Sequence, residues 1–147
     1  MLTQLKTLFT DYNAAVQEVR KKARAFDGIL GLGKDPRKDP CHEQFYNAVG
    51  KWTEDFLATE PSQEDLKAAA LFLVEEPKNY EGIAISAPAA RAIMNEWLNA
   101  GWVDIKPMIG TMCPETSQMI KASLEAAYKK RDRMPLQKEL LKLLDKK

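Results

Sequence analysis

Residues 2–27, LTQLKTLFTDYNAAVQEVRKKARAFD, carry the clearest periodic pattern in the chain. Apolar side chains recur there at alternating steps of three and four residues, which is the spacing of one face of a packed helix. The positions that continue this spacing are Leu2, Leu5, Phe9, Tyr12, Val16, Val19, Ala23, Phe26 and Leu30. The pattern predicts a helix from Thr3 to Asp27, nearly 40 Å long at about 1.5 Å per residue.

A helix of this length exceeds what a compact domain of 147 residues requires. We therefore expect it to pack against another long helix, which is either a helix of the C-terminal half or the same helix in a second copy. Six positions form the candidate interaction stripe: Leu5, Phe9, Tyr12, Val16, Val19 and Phe26. The stripe supports our first functional hypothesis, a non-catalytic protein–protein interaction or regulatory module that self-associates.

Proline, glycine and capping residues divide the rest of the chain into further helical segments. The predicted helix starts are Asp39–Pro40, Ser62, Ser86, Cys113–Pro114 and Pro135. In the helix after Cys113, the inward-facing side chains are predicted to include Met119, Ile120 and Leu124. The fold class is predicted to be all-α, a single domain over residues 1–147 that forms a bundle of five or six helices.

One segment does not read as helix. Residues 102–109 alternate around Val103 and Ile105 and are interrupted by Pro107. This pattern is typical of a short strand or an extended connection. A minor β-hairpin between residues 83–85 and 102–105 is therefore added to the predicted bundle.

The composition is that of an ordinary globular protein, with 45% apolar and 29% charged residues. No apolar run approaches the roughly 20 residues of a membrane span, and the N-terminus lacks a signal segment. We therefore expect a cytoplasmic protein without a membrane partner, in which the two cysteines remain thiols.

The net charge of +1 conceals an uneven distribution along the chain. Residues 43–81 carry three basic and nine acidic side chains, whereas residues 129–147 carry eight basic and three acidic ones. A basic segment can attract nucleic acid or another anionic surface. We favour the interpretation that the basic segment is solvated beside the acidic middle of its own fold or of a neighbouring molecule. Nucleic acid is kept as the alternative partner.

The segment from Ser86 to Lys106 offers the second functional hypothesis. A capped helix from Ala87 to Ala100 is followed by NAGWVDIK, residues 99–106. This arrangement resembles the recognition helix and first wing strand of winged helix-turn-helix regulators, which implies DNA binding. The helix departs from that pattern because its exposed positions include Asn95 and Glu96 and provide few cations for phosphates.

The third hypothesis is a thiol or metal site. Cys41 and Cys113 each flank a proline at a predicted helix start, where the helix dipole favours a thiolate. His42 and Glu43 follow Cys41, so Cys41, His42, Glu43 and Cys113 form the candidate polar site. Neighbouring residues on a helix point in different directions, and no paired CxxC or HxxxH ligands occur, so no metal is assigned.

Short motifs of enzymes are otherwise missing from the sequence. The stretch from Gly28 to Lys34 matches a phosphate loop except at its last position, where Asp35 replaces the hydroxyl residue and Pro36 follows. No serine lies in a GxSxG turn, and His42 is the sole histidine. We therefore predict no catalytic residue and no cofactor, and we favour a function other than catalysis.

Overall fold

The computed structural model describes residues 1–27, 40–76, 105–127, 129–130 and 135–146, with every side chain in these ranges except those of residues 16, 19–27, 42, 135 and 136. The helices are α1 (Leu2–Asp27), α2 (Pro40–Ala58), α3 (Gln63–Glu75), α4 (residues 105–109), α5 (Pro114–Ala127) and α6 (Pro135–Asp145). The described ranges contain no strand. The predicted all-α helical bundle is confirmed.

Helices α1 and α2 form an antiparallel pair. Near the end of α2, the indole N–H of Trp52 donates to the carbonyl oxygen of Met1 at 2.9 Å. Near its start, Phe45 stacks on Tyr12 with ring centroids 4.1 Å apart and planes inclined by 8°. The first half of α1 therefore runs along almost the whole of α2.

A short turn joins α2 to α3. Glu60 takes the left-handed conformation (φ 52°) that commonly ends a helix, and its N–H donates to the carbonyl oxygen of Leu57. Ser62 then caps α3, because its hydroxyl oxygen accepts a hydrogen bond from the Asp65 N–H at 3.2 Å. The cap predicted from the spacing of Ser62 and Asp65 is therefore present.

Helices α3 and α5 run parallel. At their starts, the side chain of Gln63 bonds to the backbone just before α5, and near their ends the Ser123 hydroxyl donates to Glu75 at 2.9 Å. Helix α6 returns along α5, where Lys121 contacts Asp145, and near α4, where Lys106 pairs with Glu139 at 3.1 Å. The buried apolar side chains of all six helices belong to one core cluster.

The prediction for residues 102–109 requires a correction. Residues 105–109 are helical, not extended, so the predicted strand does not reach Ile105. The physical reason is the spacing of Ile105, Met108, Ile109 and Met112, which recur at steps of three, one and three and are all buried. Residues 83–85 and 102–104, the rest of the predicted hairpin, lie outside the described residues.

Candidate functional site

Cys113 occupies the N-cap of α5, one residue before Pro114. Its carbonyl oxygen accepts a hydrogen bond from the N–H of Ser117 at 3.0 Å, the first bond of the helix. Its Sγ lies 3.2 Å from the Oγ1 of Thr116, within the distance of a hydrogen bond to sulfur. The thiol therefore takes the position at which a serine or aspartate side chain usually caps a helix.

These contacts favour the ionised thiol. The hydrogen bond from the Thr116 hydroxyl, helped by the backbone N–H groups of Thr116 and Glu115, lowers the pKa of Cys113 below its usual value. Partial burial and the carboxylate of Glu115 oppose this effect without reversing it. Because the thiolate is the nucleophilic form of cysteine, Cys113 is suited to react with electrophiles or oxidants.

Gln63 fixes the backbone that carries Cys113. Its Oε1 accepts a hydrogen bond from the Cys113 N–H at 2.9 Å, and its Nε2 donates to the Thr111 carbonyl oxygen at 2.9 Å. Neither Gln63 nor Thr116 is among the site residues predicted from the sequence. Thr116 lies three residues after Cys113, the spacing between the N-cap and the residue that it contacts in a capping box, and this spacing could have indicated Thr116. No local signal links Gln63 to a residue 50 positions away.

Cys41 lies in a different part of the fold. It is the second residue of α2, where its half-buried side chain packs against the core. Phe9 contacts both Phe45, near the start of α2, and Phe72, near the end of α3, so these two helices are antiparallel. Cys41 is therefore about 25 Å along α2 from the end that adjoins Gln63 and Cys113.

The structure thus separates the two cysteines of the candidate polar site. Both are free thiols. Glu43, in the first turn of α2, is exposed, and the side chain of His42 lies outside the described part. Among the described residues, no three histidine, cysteine, aspartate or glutamate side chains are placed to hold a metal ion.

The first half of the candidate interaction stripe belongs to the core. Leu5 and Phe9 are completely buried and Tyr12 is 4% exposed. These three side chains therefore pack within the chain and are not available to a partner in this conformation. The side chains of Val16, Val19 and Phe26 are outside the described set.

The segment that resembles a winged helix, residues 86–104, also lies outside the described residues, and residues 105 and 106 at its end are helical. None of the described helices has the length and apolar character needed to cross a membrane. No protein-family model matches the chain, and no curated protein or solved structure shows significant similarity to it.

Proposed function

We propose that this chain is a non-catalytic helical interaction module that binds a second copy of itself through the C-terminal part of α1. The observation that carries the proposal is the difference in length between α1 and the helix it packs against. Helix α1 has 26 residues and α2 has 19. Their register determines where α1 begins to extend beyond α2.

The register follows from the aromatic contact between the two helices. Tyr12 stacks on Phe45, and α2 begins at Pro40. Because the helices are antiparallel, Pro40 lies opposite roughly residue 17 of α1. About ten residues of α1, a length of about 15 Å, therefore extend beyond the start of α2.

The apolar spacing of α1 continues in this extension through Val19, Ala23 and Phe26. A helix with an apolar stripe gains stability by packing the stripe against another apolar surface. The same extension in a second copy has the same apolar spacing. In a two-fold symmetric pair, the stripe of each copy can pack against the stripe of the other. The proposed dimer is therefore a short helix–helix contact between two α1 extensions.

Sedimentation velocity over a concentration series tests the proposal. We expect the wild-type chain to change from monomer to dimer in the micromolar range, and the double variant Val19→Asp, Phe26→Asp to remain monomeric. The control is Ala14→Asp, which places a single aspartate on an exposed position of α1. Circular dichroism of all three proteins verifies that the helices are retained.

Two results contradict the proposal. One is a wild-type chain that stays monomeric at several hundred micromolar. The other is a double variant that is folded and dimerises as strongly as the Ala14→Asp control, since the contact then lies elsewhere.

A further inference from the structure

The first turns of α5 contain a buried hydroxyl group that has no hydrogen-bond partner. Ser117 has no exposed surface, and its Oγ forms no hydrogen bond with any described residue. Thr53, a buried hydroxyl residue of α2, donates instead to the carbonyl oxygen of Val49 at 2.9 Å. Because a buried hydroxyl without a partner costs free energy, and such groups are uncommon in proteins, the Ser117 hydroxyl is an available donor that requires an explanation.

Ser117 lies one helical turn after Cys113. Its N–H donates to the carbonyl oxygen of Cys113 at 3.0 Å, so the two residues are stacked on one side of α5. Side chains of a helix lean toward its N-terminus, and the Ser117 side chain is therefore directed toward the turn that carries Cys113. The hydroxyl of Thr116 already contacts the Cys113 sulfur at 3.2 Å. The turn thus holds one hydroxyl that is bonded to the sulfur and a second that is available.

The sulfur can be reached from outside, whereas the second hydroxyl cannot. Cys113 is half-buried, and the neighbouring residues Thr111, Pro114 and Glu115 are exposed. A small reactant can therefore approach the thiol from solvent. Since Ser117 has no exposed surface, an oxygen atom attached to the sulfur is better placed to accept its hydrogen bond than bulk water is.

We infer that Cys113 is a site of reversible oxidation by hydroperoxides, and that the oxygen added to its sulfur accepts the hydrogen bond that the Ser117 hydroxyl lacks. The inference is independent of the proposed self-association. The thiolate sulfur attacks the terminal oxygen of the peroxide, and the S–O bond forms as the O–O bond breaks. Sulfur loses two electrons, the peroxide gains them, and the hydroxide or alkoxide that leaves takes a proton from water.

The sulfenic acid formed in this way has no second thiol of its own chain within reach. The chain has two cysteines, and Cys41 lies about 25 Å along α2 from the end that adjoins Cys113. A disulfide requires Cα atoms within about 7 Å of each other. The sulfenic acid is therefore expected to condense with a small external thiol, which forms a mixed disulfide and releases water, and exchange with a second thiol molecule restores the cysteine.

Trapping of the sulfenic acid tests the inference in the wild-type chain. The protein is treated with limiting hydrogen peroxide in the presence of dimedone, and the adducts are located by peptide mass spectrometry. Cys41 is the internal control, since it belongs to the same chain but has no hydroxyl cap of this kind. We expect Cys113 to be labelled about tenfold faster than Cys41 or more. Addition of glutathione in place of dimedone should give a mixed disulfide at Cys113.

A variant tests the role of the available hydroxyl. Ser117→Ala removes the unpaired donor and leaves the contact between Thr116 and the sulfur, so the first oxidation step should keep its rate. The fraction of Cys113 that proceeds to sulfinic acid at a fixed excess of peroxide should rise by about threefold or more, the effect of one hydrogen bond. The matched control is Ser123→Ala, which removes a hydroxyl of α5 that bonds to Glu75 and should change neither quantity. Circular dichroism verifies that both variants are folded.

Each outcome supports or overturns a stated part of the inference. Equal labelling of the two cysteines, or a wild-type chain that yields sulfinic acid without a trapped adduct, overturns it, and both measurements need no variant. A folded Ser117→Ala chain with the sulfinic acid fraction of the wild type overturns the role of Ser117. A disulfide within the chain, or between two copies, that forms in place of the mixed disulfide with glutathione overturns the external thiol. Sedimentation of the reduced chain tests the proposed self-association separately.

Discussion

Replacement of Phe9 by alanine is the sharpest test of how α1 is used. Phe9 has no exposed surface and lies where three helices meet. Its ring centroid is 4.9 Å from that of Phe45 on α2 and 5.1 Å from that of Phe72 on α3, and both pairs are edge-to-face, with interplanar angles of 86° and 84°. The substitution therefore removes packing from two interfaces at once.

The expected cost follows from these contacts. Truncation of a buried phenylalanine to alanine destabilises proteins by about 3–5 kcal/mol. Each edge-to-face ring pair contributes about 0.5–1.5 kcal/mol beyond the burial of area, and Phe9 makes two such pairs. We therefore expect Phe9→Ala to lower the free energy of unfolding by about 4–5 kcal/mol, at the upper end of this range. Phe9→Leu keeps most of the apolar volume and should cost about 1–2 kcal/mol.

Urea unfolding monitored by circular dichroism measures the change in the free energy of unfolding for Phe9→Ala and for Phe9→Leu. The control is Thr10→Ala, the exposed neighbour on the same helix, which should stay within about 0.5 kcal/mol of the wild type. A Phe9→Ala cost below about 1.5 kcal/mol contradicts the placement of Phe9 between α1, α2 and α3, because the loss of a fully buried phenylalanine costs more than this. A large cost for Thr10→Ala refutes it too, since α1 then faces the core with a different side.

Three further predictions concern the thiol, a helix cap and the N-terminus. Thr116→Val removes the strongest cause of the lowered pKa of Cys113, so the midpoint of its alkylation rate against pH, followed by mass spectrometry, should move upward and the rate at neutral pH should fall. An unchanged profile contradicts this assignment. Ser62→Ala should lower the free energy of urea unfolding by about 1 kcal/mol through loss of the α3 cap, and Ser62→Asp should not. Trp52→Phe loses the hydrogen bond to the Met1 carbonyl and should cost about 1–3 kcal/mol, and a cost near zero implies that α1 is not fixed at its first residue.

The direction of the pKa shift of Cys113 also determines how the stability of the fold depends on pH. A lowered pKa in the folded state means that the Cys113 thiolate is favoured by folding. This contribution to stability is present above the pKa of the thiol in the unfolded chain. It is lost as the pH falls through the lower pKa of the folded state, so Thr116→Val should flatten the stability profile in that alkaline window.

The helix boundaries could be predicted because the signals that set them are local. Pro40 and Ser62 mark the starts of α2 and α3 within a few residues of chain, and the structure places these starts at Pro40 and Gln63. Five of the described helices, α1, α2, α3, α5 and α6, follow from such signals together with the apolar spacing, whereas α4 lies in a segment that was predicted to be extended. The local signals require no knowledge of which helices meet.

Side-chain burial was harder to predict where a helix has more apolar residues than its buried face can hold. Met119 was predicted to face inward, but it is 48% exposed, while Thr116 and Ser117 on the same helix are buried. The side of α5 that is buried in the bundle carries these small hydroxyl residues together with Ile120 and Leu124. Periodicity alone cannot choose between these two faces, because the choice depends on the partner helix.

The two ends of α1 carry one apolar sequence pattern but differ in their position relative to α2. At its N-terminal end the apolar stripe is part of the core, where Leu5 and Phe9 have no exposed surface. From about residue 17 onward, α1 runs past the start of α2, although the stripe continues to Phe26. The sequence pattern is therefore the same along α1, and the part beyond α2 is the one that we propose for self-association. Substitutions at Phe9 should therefore act on stability, and substitutions at Val19 and Phe26 on association, and measurement of both quantities for each variant separates the two roles.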